Sequence, residues 1–184
     1  FSDGQNLEVV IEMKLVGVVL TDDLRWSKNT EYICQKAMER MWILRRMKFY
    51  ELDDEYILDT YMKEIRPIME LAAPVWHGGL TVKQSRDIER IQRTALFIIL
   101  GDNFMDYEVA CTLMNIEPLN MRRDNLCLKF ASKNVKQENS LFKIIEHKVN
   151  TRSKARKVLE PKCNTKRYRN SPIPYMSRLL NKNV

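Results

Sequence analysis

Two adjacent carboxylate pairs, Asp22-Asp23 and Asp53-Asp54, are the groups in this 184-residue chain closest to metal-dependent chemistry. Paired aspartates can hold two divalent ions about 4 Å apart, which activate an attacking hydroxyl and stabilise a leaving oxygen. The local sequence favours a structural reading for both pairs. Asp53 stands where a helix N-cap is expected, with Asp54 and Glu55 in the first turn, so their charge suits the positive end of the helix. Asp22-Asp23 follows an apolar run at a place where a turn is expected. The four cysteines, Cys34, Cys111, Cys127 and Cys163, contain no Cys-x-x-Cys pair, and His77 and His147 do not complete a zinc spacing. The thiols are expected to be free, in a reducing compartment. Neither histidine has a cysteine, serine or carboxylate at a spacing that suggests catalysis, and both read as surface residues.

The second chemistry open to the chain is recognition of polyanions. Its net charge is +7, but the balance is uneven. Residues 1–120 hold 14 basic against 20 acidic side chains, a net of −6, whereas residues 121–184 hold 17 against 4, a net of +13. A block that positive favours phosphate-bearing partners, since each contact releases condensed counterions. With 45% hydrophobic residues the chain can build a core of one sizeable domain, and few glycines and prolines argue against a strand-rich sandwich. No apolar run approaches the roughly 18 residues of a membrane span, and no secretory signal is evident. An intracellular site, nuclear or cytoplasmic, is expected. The chain opens on Phe1 rather than Met, as expected of a piece of a longer polypeptide.

The elements that would position these groups follow from periodicity. Leu7–Ile11 alternates and Leu15–Leu20 is a short β-branched run, which predicts two strands with a turn near Glu12–Lys14. From Trp26-Ser27 the period becomes helical. Ser27 is the expected N-cap, Ile33, Ala37, Met41 and Leu44 the buried stripe, and Arg45, Arg46 and Lys48 the basic last turn. A second helix, capped by Asp53, carries Ile57, Tyr61, Ile65, Ile68 and Ala72. Its phase runs on through Pro67, so a bend rather than a stop is predicted there, with Pro74 near the end. A third helix starts near Thr81, buries Ile88, Ile91, Ala95 and Ile98, and ends at Gly101. A short one follows from about Asp106 to Asn115. Pro118 then opens a longer helix carrying Leu119, Leu126 and Phe130, and Ser140 caps a last one through Ile145. Trp26, Trp42 and Trp76 flank apolar stripes and read as core residues. Beyond Asn150 the pattern fades, and Pro161, Pro172 and Pro174 predict an extended or partly disordered tail that docks through Ile173, Tyr175, Leu179 and Leu180. The organisation predicted is mainly α (α+β): a β-hairpin over 1–24, a helical bundle over 25–149, and a basic, proline-containing tail over 150–184.

Several of these segments, in this order, carry a family resemblance. Lys14-Leu15-Val16-Gly17-Val18, then Leu24-Arg25-Trp26-Ser27 with Lys36-Ala37 and Leu44-Arg45-Arg46, then Ile65-Arg66-Pro67 through Ala73-Pro74-Val75-Trp76, then Ile91-Gln92-Arg93 through Leu100-Gly101, resemble the region after the active site in LINE-type (non-LTR retrotransposon) reverse transcriptases. The first matches that family's primer-grip strand, with Leu15-Val16 where an aromatic residue and a leucine are usual. A lysine there can meet a phosphate and a glycine permits close backbone approach. The helices look like the thumb, which lies along the template–primer duplex. Arg167-Tyr168-Arg169 through Leu179-Leu180-Asn181 resembles the extreme C-terminus of jockey-like elements. The basic stretches 152–157 and 162–169 fit either a docking peptide or a nucleic-acid-binding arm.

The resemblance implies the end of a palm, a thumb and a C-terminal segment of an RNA-directed DNA polymerase. The partners implied are an RNA template, a DNA primer, and the palm and fingers of the same polyprotein, with no membrane. It makes Lys14, Gly17, Arg45, Arg46, Arg66, Arg90, Arg93, Arg167 and Arg169 the candidate nucleic-acid contacts. Neither aspartate pair has the tyrosine of the family's Tyr-x-Asp-Asp turn, since Tyr50 stands three residues before Asp53. The carboxylates for two Mg ions would therefore lie upstream of Phe1. This chain would bind no cofactor and would not polymerise alone. The contrasting expectation is a non-catalytic helical protein-interaction domain from a decayed or domesticated element.

Overall fold

The computed structural model of the chain describes residues 10–135, 141–142 and 158–182. It is mainly helical behind an N-terminal antiparallel hairpin, the class the sequence pattern predicts. The hairpin pairs β1 (Glu12–Leu15) with β2 (Val18–Thr21), Leu15 opposite Val18, so the loop is the two residues Val16 and Gly17. Both have positive φ, 47° and 83°. Such a turn matches the right-handed twist of its strands, and its second residue here is glycine. The expected turn at Glu12–Lys14 is thus a strand, and the glycine expected within a strand is the turn. Turn chemistry at Gly17 outweighs the weaker alternation of residues 7–11, most of which lie outside the described residues. β1 is exposed throughout, whereas β2 buries Val18 and Val19.

The helix α1 (Ser27–Phe49) starts one residue earlier than the serine cap implies, with Trp26 at the N-cap in the left-handed region (φ 63°). Ile33, Ala37, Met41 and Leu44 are buried as their spacing predicts. After it, α2 (Asp54–Thr60) runs through a π turn at Tyr61–Ile65 into α3 (Arg66–Glu70). The helix does continue through Pro67, and the π turn shows how. The Arg66 amide reaches back five residues to the Tyr61 carbonyl, widening the helix just before a residue that has no N–H and whose ring crowds the turn before it. The inserted residue shifts the buried stripe to Ile57, Tyr61, Ile65, Met69 and Ala73; Ile68 and Ala72, expected in it, are only partly buried. The chain then breaks at Leu71 and Ala72 (φ 51°). Pro74 lies in the first turn of a new helix, α4 (Ala73–Trp76), where its missing donor costs nothing, rather than near the end of the old one.

A tight turn at His77–Gly79 leads to α5 (Val82–Leu100). Thr81 and Gln84 form a reciprocal capping box, and Gly101 (φ 53°) ends the helix. Such a cap is worth about 1 kcal/mol. Asp106 caps α6 (Tyr107–Leu113), and α7 (Leu119–Val135) follows Pro118. The buried face of α7 is Leu119, Arg123, Cys127 and Ala131, so Phe130, expected on the apolar stripe, is left 41% exposed. The predicted helix from Ser140 lies almost wholly outside the described residues, as does the basic stretch 151–157.

The C-terminal region departs most from expectation. Instead of an extended tail it forms α8 (Lys166–Arg169) and α9 (Pro172–Lys182). Pro172 and Pro174 stand in the first turn of α9, where proline favours a helix instead of breaking one. Ile173, Tyr175, Leu179 and Leu180 do pack inward, against Cys127, Ala131, Phe142, Val158 and Met176. The Asn181 amide holds Val158 from both sides, accepting from its N–H and donating to its carbonyl. Among the described residues no helix is long and apolar enough to cross a membrane.

Candidate nucleic-acid interface

The helices α1 and α5 form the frame on which most of the candidate residues sit. They run side by side in the same direction. At one end Gln84 Nε2 donates to the Arg25 carbonyl (2.9 Å) and to Ser27 Oγ (3.2 Å). At the other, Lys48 Nζ donates to the Ile99 carbonyl (2.6 Å) and pairs with Asp54 (2.8 Å). Ile33, Ala37, Met41 and Leu44 of α1 share one core with Ile88, Ile91, Ala95 and Ile99 of α5. The outward faces of both helices are thereby left to solvent.

On α5 that outward face carries Lys83, Arg86, Arg90 and Arg93, all exposed, at i, i+3, i+7 and i+10. That spacing places four cations on one side of the helix over about 15 Å of its axis. Phe97, also exposed, extends the row. Arg90 is 77% exposed and touches Asp87 at 3.4 Å, a contact too open to neutralise it. The Arg93 guanidinium stands 6.0 Å from the ring centroid of Phe104. Sequence reasoning named Arg90 and Arg93 but missed Lys83 and Arg86, although their spacing alone would have found them.

The other candidates are dispersed. Arg45 and Arg46 lie exposed near the end of α1, close to the end of α5. Arg167 and Arg169 lie exposed on α8, and Arg167 shares with Lys166, Thr81 and Val82 a cavity of about 550 Å³ at the opposite end of α5. The set is therefore spread along the α1–α5 pair instead of gathered at one point. Lys14 donates to the Tyr32 hydroxyl (2.6 Å) and lies 4.3 Å over that ring, which holds the phenol below its usual range. Gly17 is required by its turn and by space, because a Cβ there would come within 2.7 Å of Leu71 Cδ2. Arg66 is mostly buried beside Glu70, at 3.2 Å but without hydrogen-bond geometry, and Glu70 also takes Arg122 at 3.1 Å. Of the named set, Arg66 is the least able to reach a ligand.

One member of each carboxylate pair is engaged locally, and Asp53 stands at the N-cap of α2 without a side-chain cap bond. Asp23 Oδ1 accepts from the Thr21 hydroxyl and the Arg25 amide, which hold its carboxyl below the usual range. Asp54 pairs with Lys48. Among the described residues no three His, Cys, Asp or Glu side chains are placed to hold a metal ion.

A buried polar network is the second feature that sequence reasoning missed. His77, expected at the surface, is buried, and so is Arg123 in the apolar stripe of α7. Arg123 Nε donates to His77 Nδ1 (3.1 Å), leaving His77 Nε2 to donate to Asp124 Oδ1 (3.1 Å), which also accepts from the Tyr175 hydroxyl (2.5 Å). Burial opposes the Asp124 charge, but the bonds from His77 and Tyr175 outweigh it and hold the carboxyl below its usual range. Burial likewise works against the Arg123 cation, with Glu89 at 3.8 Å as the nearest compensating charge. The guanidinium carbon lies 5.9 Å from the Trp76 ring centroid, and Nη1 has no hydrogen-bond acceptor among the described residues. The network also reaches the Ser85 hydroxyl of α5, which accepts from Arg123 Nη2 at 3.4 Å. It ties α9 and α7 to the turn after α4. Comparison with protein-family models, with characterised proteins and with solved structures finds no match to this chain.

Proposed function

We propose that the chain is the duplex-gripping end of a LINE-type reverse transcriptase, a non-catalytic thumb that holds the template–primer hybrid by its backbone. The ordered primer-grip, thumb and C-terminal motifs support the family, and one observation supports the binding mode. That observation is the row of Lys83, Arg86, Arg90 and Arg93 along the solvent face of α5. Four cations on a rigid helix suit the periodic phosphates of a duplex, whose backbone contacts position a protein without reading sequence. The two-metal chemistry of such an enzyme would be supplied by carboxylates elsewhere in the polyprotein.

The test is binding of the 184-residue chain to an RNA–DNA hybrid of about 20 base pairs, followed by fluorescence anisotropy from 50 to 200 mM salt. The expected result is a log–log slope of about −3 to −4, one unit for each neutralised phosphate, falling by roughly two in the Arg86→Gln/Arg90→Gln variant. Absence of binding at the lowest salt overturns the proposal and favours the protein-interaction domain. Extension of a primed RNA by the chain alone, with magnesium and nucleotides, would contradict its non-catalytic part.

A further inference from the structure

The end of α1 presents a surface that the grip on a duplex backbone leaves unused. Trp26 and Trp76 are buried, but Trp42, expected in the core, is 62% exposed, and Phe49 and Tyr50 are 76% and 61% exposed. Trp42 and Phe49 are seven residues apart, hence on one face and about 10 Å apart along the axis. Tyr50 meets Phe49 edge to face (5.5 Å, 78°), and the Arg46 guanidinium stands 5.2 Å from the Tyr50 centroid. Arg45 and Arg46 have no ion-pair partner among the described residues, unlike their neighbours Arg40 and Lys48, which meet Glu64 and Asp54. From Arg40 to Tyr50 the sequence contains no acidic residue. Exposed rings with unneutralised arginines between them are the combination that binds unpaired nucleotides: bases stack on the rings, and the guanidiniums meet the phosphates.

We infer that Trp42, Phe49 and Tyr50, with Arg45 and Arg46, form a stacking platform for single-stranded nucleic acid. A duplex keeps its bases stacked on one another and offers this surface mainly its backbone, so the rings select strand that is not base-paired. Its selectivity should be low for sequence and high for strandedness, because every base has a face to stack. The inference rests on the proposal that this chain binds nucleic acid, but it concerns a different face from the α5 row.

Trp42 supplies its own reporter, since the other two tryptophans are buried. A 12-nucleotide oligothymidylate titrated into the full chain is expected to quench tryptophan emission saturably. Trp42→Leu, with helix content unchanged by circular dichroism, should weaken oligothymidylate binding about tenfold while hybrid-duplex affinity stays within threefold. Arg45→Gln/Arg46→Gln should flatten the salt slope for the single strand by about one to two units. Oligothymidylate affinity unchanged by Trp42→Leu overturns the platform and leaves the duplex grip standing. Retained single-strand quenching with no hybrid binding supports the platform and overturns the duplex grip. Shielding of Trp42 from iodide, with a dimer that Trp42→Leu returns to a monomer, assigns the face to a second copy and overturns the inference.

Discussion

Two arginines show how the same side chain takes opposite parts according to its surroundings. Arg123 is fully buried between His77, Glu89 and the Trp76 ring, and its hydrogen bond to His77 fixes which ring nitrogen faces Asp124. Replacing it by methionine keeps volume but leaves His77 Nδ1 without its donor and Glu89 without its cation. Loss of one partner from a buried charged network costs about 3 kcal/mol, so Arg123→Met is expected to lower urea-unfolding stability by about that much. Arg90 is almost bare to solvent, and Arg90→Gln should change stability by less than about 0.5 kcal/mol. It should instead weaken hybrid binding and reduce the salt slope by roughly one. Urea melts and anisotropy on the two variants would show that separation, and a binding loss for Arg90→Gln matched by unfolding would contradict it.

Among the elements, α9 and the hairpin have the most exacting requirements. The chain after α4 can receive α9 only because residue 78 is glycine, since a Cβ there would meet Tyr175 Cγ at 2.6 Å, Tyr175 Cβ at 2.8 Å and the Asn170 carbonyl oxygen at 2.9 Å. Gly78→Ala is therefore expected to displace α9 while leaving the α1–α5 core in place. Trypsin should then cut at Arg167, Arg169 and Arg178 several-fold faster than in the parent, which limited proteolysis with mass spectrometry would detect. In the hairpin, Val16 holds φ 47° although it is β-branched, a conformation that costs such a residue energy. Asparagine adopts it readily and would make the Asn-Gly pair that this turn favours. Val16→Asn is expected to stabilise the chain by about 0.5–1 kcal/mol in thermal melts. An unchanged or lower Tm would contradict the strain assigned to Val16, whose side chain is exposed.

At the scale of the molecule, one buried and two half-buried tyrosines from different elements give the fold an alkaline limit. Burial pushes the Tyr61, Tyr107 and Tyr175 phenols up, and hydrogen bonds to Glu89 and Asp124 add to the effect at Tyr107 and Tyr175. Each therefore keeps its proton in the folded chain at a pH where the unfolded chain, with phenols near 10, has released it. Their contribution is complete below pH 10 and is lost as pH rises above it, because the unfolded state then binds fewer protons than the native one. Each can contribute up to about 1.4 kcal/mol of lost stability per pH unit. Burial pushes the Cys34, Cys111 and Cys127 thiols up as well, so urea midpoints measured from pH 8 to 11 should begin to fall at about pH 9 and fall more steeply above about pH 10. Tyr175→Phe, which removes one of the three phenols, should make that steeper fall shallower.

Most elements were legible because local chemistry determines them. The stripe Ile33–Ala37–Met41–Leu44, the helix starts at Asp53, Thr81 and Asp106, and the stop at Gly101 each depend on residues a few positions apart, although the Asp53 side chain makes no cap bond. Of the exposed row on α5 only Arg90 and Arg93 were named, although Lys83 and Arg86 need nothing beyond the same helical spacing and charge. What the sequence could not settle depended on partners distant along the chain. Pro172 and Pro174 read as breakers until α7 and the turn at Gly78 gave α9 a surface to dock on. His77 looked like a surface residue because its partner Arg123 lies 46 positions away. Trp42 looked like core, because its helix spacing shows a stripe but not which flank the neighbouring helix covers. Periodicity and capping thus determined what forms here. The packing of α5, α7 and α9 decided what is buried, and with it which charges and rings remain free to bind.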